Sequence, residues 1–305
     1  STYRKYCAKG ANYCRRMTTT PLPPPTACTL PNSAAHSSLI DHALRLNGWH
    51  KRGRELQTCG TLLPAHTGTS RLAWTVSQRS RFAQHFHQDF FEDQYGRGAR
   101  CFFMTVRDPV ARLQSAFSFE KSHVNWGQDQ HLNSNSRHTK SPGHFVRLLR
   151  DGKDARPDVR TPQRQAALVK IFNGSLHGHR RWGQRGREVL HTGNYGLIPQ
   201  LDYLRGLEGR ADVELHLVCQ NQLDRHLDAA WRKFEPGQAL PPLPAEEAAK
   251  STSQHKTTLH NKYAGDRTWL RLTADERAYV RECMFPGDAE LARRLCHGNN
   301  ASGLP

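Results

Sequence analysis

The sequence predicts an α/β protein in which a central parallel sheet is flanked by helices. Two runs of strand length, the apolar CFFMTV at 101–106 and the largely apolar ELHLVCQ at 214–220, each run directly into a helical pattern. Uninterrupted apolar strands alternating with helices are what a sheet covered on both faces requires. A chain of 305 residues is also long enough to bury most of its apolar surface without cross-links.

Along the chain, residues 1–25 read as an N-terminal arm ending in the Pro-rich linker TTTPLPPP, 26–297 as the folded domain and 298–305 as a tail. TACTLP is the first expected strand, NSAAHSS a loop of small residues, and LIDHALRL an amphipathic helix. RLAWTV at 71–76 is the second expected strand, followed by a helical stretch, SRFAQHFHQDFFEDQYG, that ends in glycines. CFFMTV is the third, and RDPVARLQSAFSFEK its helix. Residues 123–143, rich in Asn, Ser, His and Gly, predict a long surface loop. Helical segments are expected at TPQRQAALVKIF and IPQLDYLRGL. ELHLVCQ then leads into the helix NQLDRHLDAAWRKF, EPGQALPPLPAEE is a loop, and STSQHKTTLHNKYAG is polar and basic. TADERAYVRECM and DAELARRLC close the pattern as helices, and no internal repeat is visible.

Composition narrows the function. Lys and Arg number 44 against 27 Asp and Glu, a formal charge of +17 with 18 His besides, which favours a polyanionic partner: nucleotide, acidic polysaccharide, acidic lipid or nucleic acid. The sharpest basic peak is HGHRRWGQRGR at 177–187. No apolar run reaches bilayer length. The chain starts at Ser1 without a signal-peptide pattern, which leaves room for an anchoring segment ahead of it.

Of the eight cysteines, none forms a CxxC pair, so no structural zinc site is expected. Cys7 with Cys14 and Cys283 with Cys296 are candidate pairs near the two ends, whereas Cys28, Cys101 and Cys219 lie in apolar runs and read as buried thiols. With two N-glycosylation acceptor sequences, at Asn173 and Asn300, the pattern leans toward a secretory lumen.

Ligands of such sheets sit beyond the carboxyl ends of the strands. Two strand ends carry suitable residues. In the loop Asn32-Ser33-Ala34-Ala35-His36-Ser37-Ser38, small residues would let backbone N–H groups and hydroxyls approach an anion at the start of the following helix, although a Ser-rich helix cap explains the same residues. There is no Gly-Lys-Ser/Thr anywhere, which disfavours a nucleoside triphosphatase. At the second strand end, Asp108 can cap the helix and Pro109 suits its first turn. Arg107, leaving a buried strand, faces the ligand crevice, and Ser115 two turns later could add a hydroxyl to the same anion.

The segment RDPVARLQSAF resembles the 3′-phosphate-binding motif of sulfotransferases that use 3′-phosphoadenosine 5′-phosphosulfate (PAPS), in which an Arg and a Ser eight residues apart hold the phosphate; here they are Arg107 and Ser115. Within that family the chain is most similar to the Golgi carbohydrate 2-O-sulfotransferases that act on glycosaminoglycan uronic acids. ELHLVCQNQLDRHLDAAWRKF is similar to their late strand and helix, and SQHKTTLHNK to the basic loop that closes over the cofactor, bringing Lys256, Thr257, Thr258 and Lys262 to phosphates. FPGDAELARRL resembles their C-terminal helix pattern. The resemblance runs over roughly 26–297 and is strongest at 101–119. It implies a P-loop-NTPase-like sulfotransferase fold and PAPS as sulfate donor, with no metal. It further implies a glycan acceptor, anionic or neutral, no nucleic-acid partner, and a Golgi-lumenal, type II membrane protein anchored by a segment outside this chain. Arg180, Arg181, Arg185 and Arg187 would line an acidic glycan groove, with Trp182 stacking on a sugar.

The match departs from the family at two places. Asn32 stands where the family's phosphosulfate loop has a Lys, and Ala34 and Ala35 replace its glycines. His36, if protonated, or Lys256 could restore the charge. The family's base is a His shortly after the second strand, but RLAWTV is followed by Ser77 and Gln78; His66 and His87 are the candidates, with His85 beside the latter. A second expectation follows from Asn32: a catalytically weak or inactive sulfotransferase-fold protein that binds anionic glycans. Nucleic-acid binding, suggested by charge alone, has no reading motif here.

Overall fold

A computed structural model describes residues 33–48, 55–64, 67, 69–80, 90–122, 139, 141–151, 197–245 and 268–297. It is an α/β arrangement: a three-stranded parallel sheet with helices packed on it. The strands β1 (Cys59–Leu62), β2 (Cys101–Val106) and β3 (Glu214–Cys219) lie side by side in that order. Cys59 pairs with Cys101 and Cys101 with Glu214, so the first residues of all three are in register.

Every residue of the three strands is buried, as expected for a sheet with both faces covered. Side chains alternate between the faces. One face carries Leu62, Phe102, Met104, Val106, Leu215 and Leu217. It packs on helix α1 (Ser33–Leu46), a short helix that begins at Phe91, the 3-10 turn Gln200–Leu204 and a helix near the C-terminus. The other carries Cys59, Cys101 and Phe103 against α2 (Thr69–Ser77) and a helix over Leu223–Phe234, through Leu72, Ala73, Val76, Leu227 and Trp231. A third cluster, including Val110, Phe117, Phe145, Leu148, Val280 and Phe285, lies among the remaining helices. The helices that follow α2 are, in chain order, α3 (Phe91–Gly96), α4 (Pro109–Ser122), α5 (Pro142–Asp151), α6 (Leu223–Phe234), α7 (Ala274–Tyr279) and α8 (Pro286–Ala292). Both α7 and α8 continue into wider, π-type turns. After α1, Gly48 adopts φ 75°, a left-handed conformation open to Gly at little cost, and donates to Leu215 O at 2.9 Å, while Asn47 Oδ1 accepts from Leu217 N at 2.7 Å, so this corner covers the outer edge of β3.

The structure corrects the expected strands. RLAWTV is helical within α2, and its buried residues are Leu72, Ala73, Thr75 and Val76, the apolar three at a helical rather than an alternating spacing. The strand before β2 is instead CGTL. Its Gly60 is required by packing, since a Cβ there would lie 1.8 Å from the Gln94 Oε1 of α3. IPQLDYLRGL forms only a five-residue 3-10 turn, and the segment expected as a loop to 143 already enters α5 at Pro142. TACTLP and TPQRQAALVKIF lie outside the described residues. Among the described residues no helix is long and apolar enough to cross a membrane.

The cysteines also differ from expectation. Cys101 and Cys219 are not thiols: Cys59 is joined to Cys101 and Cys219 to Cys296, with Cα atoms 4.2 and 5.7 Å apart. Cys283 is disulfide-bonded too, but not to Cys296. The register of β1 on β2 brings the first pair together, and the packing of the last helix against β3 brings the second; neither proximity follows from sequence spacing. Cys7, Cys14 and Cys28 lie outside the described residues.

Candidate functional site

Arg107 is the first residue past the carboxyl end of β2, half-buried. Its backbone is gripped on both sides by one side chain: Arg107 N donates to Gln200 Oε1 at 2.9 Å, and Gln200 Nε2 donates to Arg107 O at 2.8 Å. Gln200 is itself held by Asp288 of α8, whose Oδ2 accepts from Gln200 N at 2.8 Å while Oδ1 accepts from Leu201 N at 3.0 Å. The Asp288 carboxylate faces Arg112 of α4 across 3.5 Å, and both side chains are 1% exposed. A buried ion pair thus anchors the strand end from behind.

The electrostatics follow from burial. Burial pushes the Arg112 guanidinium below its ordinary pKa, opposed by Asp288, and pushes the Asp288 carboxyl above the usual carboxylate range, opposed by Arg112 and by the Gln200 and Leu201 donors. Arg107 is lowered as well, first by burial and further by Arg112, with Asp108 opposing. A guanidinium that has lost hydration beside a second one is poised to gain from an arriving anion.

Asp108 caps α4, its Oδ1 accepting from Val110 N at 3.0 Å and Ala111 N at 3.1 Å, and its Oδ2 accepts from Arg281 at 2.9 Å. Capping thus accounts for this Asp. Ser115, half-buried on α4, lies seven residues after Asp108, two helical turns, which returns it to the side on which the helix begins.

At the other expected strand end, Ser33, Ala34, Ala35, His36, Ser37 and Ser38 form the first turns of α1, not a loop. Small residues with two alanines favour continuing the helix to Ser33. The first four N–H groups of a helix have no partner within it, so α1 still offers backbone donors at Ser33–His36. His36 is half-buried, Ser37 and Ser38 are exposed. His36 packs at the start of α8, where a Cβ on Gly287 would meet its Nδ1 at 3.3 Å and Leu201 Cδ1 at 2.4 Å. The first turns of α1 and the end of β2 therefore both meet the start of α8, where Gly287 receives His36 and Asp288 holds the support of Arg107.

Near the same end of the sheet, Thr67 Oγ1 donates to Pro64 O at 2.7 Å and is 2.5 Å from Thr105 Oγ1 of β2, which must then be the donor between the two hydroxyls. Asn32, His66, His85, His87, Lys256, Thr257, Thr258 and Lys262 lie outside the described residues, as does the basic segment 177–187.

Gln200, Asp288 and Arg112 were not identified from the sequence. Asp288 reads as an ordinary helix-start acid in FPGDAEL, and nothing local marks Gln200. One group of metal-ligand side chains occurs among the described residues: Cys101, Glu214 and His216, with ligand atoms within 4.8 Å of one another. It belongs to the opposite, amino-terminal end of the strands.

Compared with family models, with curated proteins and with solved structures, the chain matches none.

Proposed function

We propose that the protein is a PAPS-dependent sulfotransferase of P-loop-like fold that transfers a sulfuryl group to a hydroxyl of a glycan in the Golgi lumen. The observation that carries the reading is Arg107: it leaves a fully buried parallel strand inside the motif RDPVARLQSAF, with its backbone clamped by Gln200. Arg107 and Ser115 would bind the 3′-phosphate, and the amino-terminal turn of α1 with Asn32 the 5′-phosphosulfate, with Lys256 and Thr257 closing over it. The disulfides support an oxidising lumen, and the +17 charge suits an acidic glycan.

In the reaction the acceptor oxygen attacks sulfur as the bond from sulfur to the 5′-phosphate oxygen breaks. The acceptor proton passes to a base, and adenosine 3′,5′-bisphosphate leaves. The reassigned strand bears on that base. With CGTL as the strand before β2, His66 falls four residues past its end, where the resemblance implies the family's His, and His87 does not. Neighbouring Thr67 is fixed against β2 through Thr105.

The test is retention on immobilised adenosine 3′,5′-bisphosphate combined with transfer of radiolabelled sulfate from PAPS to a panel of glycans. Arg107→Ala should abolish retention; unchanged retention overturns the assignment. His66→Ala should keep retention and lower transfer at least about 100-fold, the scale of a lost general base; full activity assigns the base elsewhere. Asn32 in place of the loop Lys favours a second reading, a glycan-binding protein of this fold with little transfer. In that case wild-type protein is retained on nucleotide and glycan columns and labels no acceptor.

A further inference from the structure

The first residues of the strands hold a group of side chains that sulfuryl transfer does not use. Cys59, Cys101 and Glu214 are in register across β1, β2 and β3, and His216 follows two residues along β3, on the same face. All four are at most 3% exposed. The ligand atoms of Cys101, Glu214 and His216 lie within 4.8 Å of one another, and the Cys59 sulfur is bonded to that of Cys101. The surroundings are apolar: Phe103 stacks on the His216 ring at 4.7 Å and Phe234 meets it edge-on at 5.3 Å.

Two thiolates, an imidazole and a carboxylate in a dry site are a four-ligand set of the kind tetrahedral zinc takes, and are too rich in sulfur for calcium or magnesium. We infer that the protein binds one zinc ion here when Cys59 and Cys101 are reduced, with Glu214 and His216 completing the coordination. The disulfide and the zinc site are two states of the same sulfurs. A dithiol or phosphine reductant supplies two electrons to the S–S bond, and the sulfurs take up two protons. Zinc then displaces those protons to solvent. A disulfide oxidant accepts the two electrons back, reforms the bond and releases the ion. This assignment does not rest on sulfuryl transfer, because Cys101 is six residues from Arg107, roughly 20 Å along an extended strand.

The test uses the 305-residue chain, reduced with a phosphine, desalted under argon and titrated with cobalt(II). A single equivalent should bind with the visible absorption of tetrahedral cobalt and a thiolate-to-cobalt charge-transfer band, both lost on adding zinc. The double variant C59A/C101A, treated identically, should show no such band; a band of equal strength there belongs to other thiols and overturns the proposal. A second arm needs no reductant. Cys59→Ala frees the Cys101 thiol and leaves the other disulfides intact, and it should give a weaker, single-thiolate band. Adding His216→Ala or Glu214→Gln to Cys59→Ala should weaken cobalt binding by more than the roughly tenfold that loss of an outer-shell partner costs. Absence of a thiolate–cobalt band from both the reduced wild type and Cys59→Ala overturns the inference, as does affinity that is unchanged in the two added variants.

Discussion

Removing the Asp288 carboxylate would leave the buried Arg112 guanidinium facing a void and take the acceptor from the Gln200 and Leu201 amides. Breaking one side of a buried pair costs about 3–5 kcal/mol, far more than the pair itself contributes relative to apolar residues of similar size. Asp288→Ala should therefore lower unfolding free energy by about that amount in urea denaturation, and the double change Asp288→Leu with Arg112→Leu should recover the part due to the uncompensated charge, while the Gln200 and Leu201 amides still lack their acceptor. A double variant whose loss equals the sum of the losses in Asp288→Leu and Arg112→Leu alone would show that the charges act independently. The same logic explains why the support of Arg107 was illegible in the sequence. Arg107 itself is visible, because an Arg leaving an apolar strand has few other uses. Gln200 is 93 residues away from it and Asp288 a further 88, and both look like ordinary polar residues until the fold buries them.

The elements that could be read are those whose burial is written locally. CFFMTV is almost wholly apolar and ELHLVC largely so, and they became β2 and β3; LIDHALRL and LQSAF lie in α1 and α4, each carrying buried residues at helical spacing. CGTL could not be read, because four residues with a Gly and a Thr carry little hydrophobic signal, and its place in the sheet is set by Gln94 filling the space above Gly60 and donating to Thr61 O at 2.6 Å. RLAWTV misleads because β-branched Thr75 and Val76 favour a strand, while burial of Leu72, Ala73 and Val76 against β1 and β2 selects a helix. The helix α5 begins in the last two residues of the stretch read as a polar loop, 123–143, and continues through Phe145, Val146, Leu148 and Leu149, all buried. At its far side α7 opens with a reciprocal cap: Thr273 accepts from Glu276 N at 3.2 Å and Glu276 accepts from Thr273 N at 2.8 Å. The same Glu276 is ion-paired with Arg147 of α5. An acid legible as a capping residue therefore also locks two helices together, a second role that spacing alone does not show.

Two of the disulfides sit at opposite ends of the sheet and should act differently on the molecule. Cys219–Cys296 closes 77 residues and ties the end of β3 to the helix that carries Asp288; Cys59–Cys101 closes 42 residues across the strand starts. Chain-entropy stabilisation grows only with the logarithm of loop length, so each is worth about 4 kcal/mol by that account. Replacing either pair with alanines should then lower the urea midpoint by a similar amount. Function should separate them. Loss of Cys219–Cys296 frees the C-terminal helix at the point where it positions Gln200, and through it the backbone of Arg107, so retention on adenosine 3′,5′-bisphosphate should weaken as well. Loss of Cys59–Cys101 changes the far end of the same strands and should leave retention as in wild type under conditions where both variants are folded. Equal weakening in both variants would mean that nucleotide affinity follows global stability, and that the path from Asp288 through Gln200 to Arg107 carries no special weight.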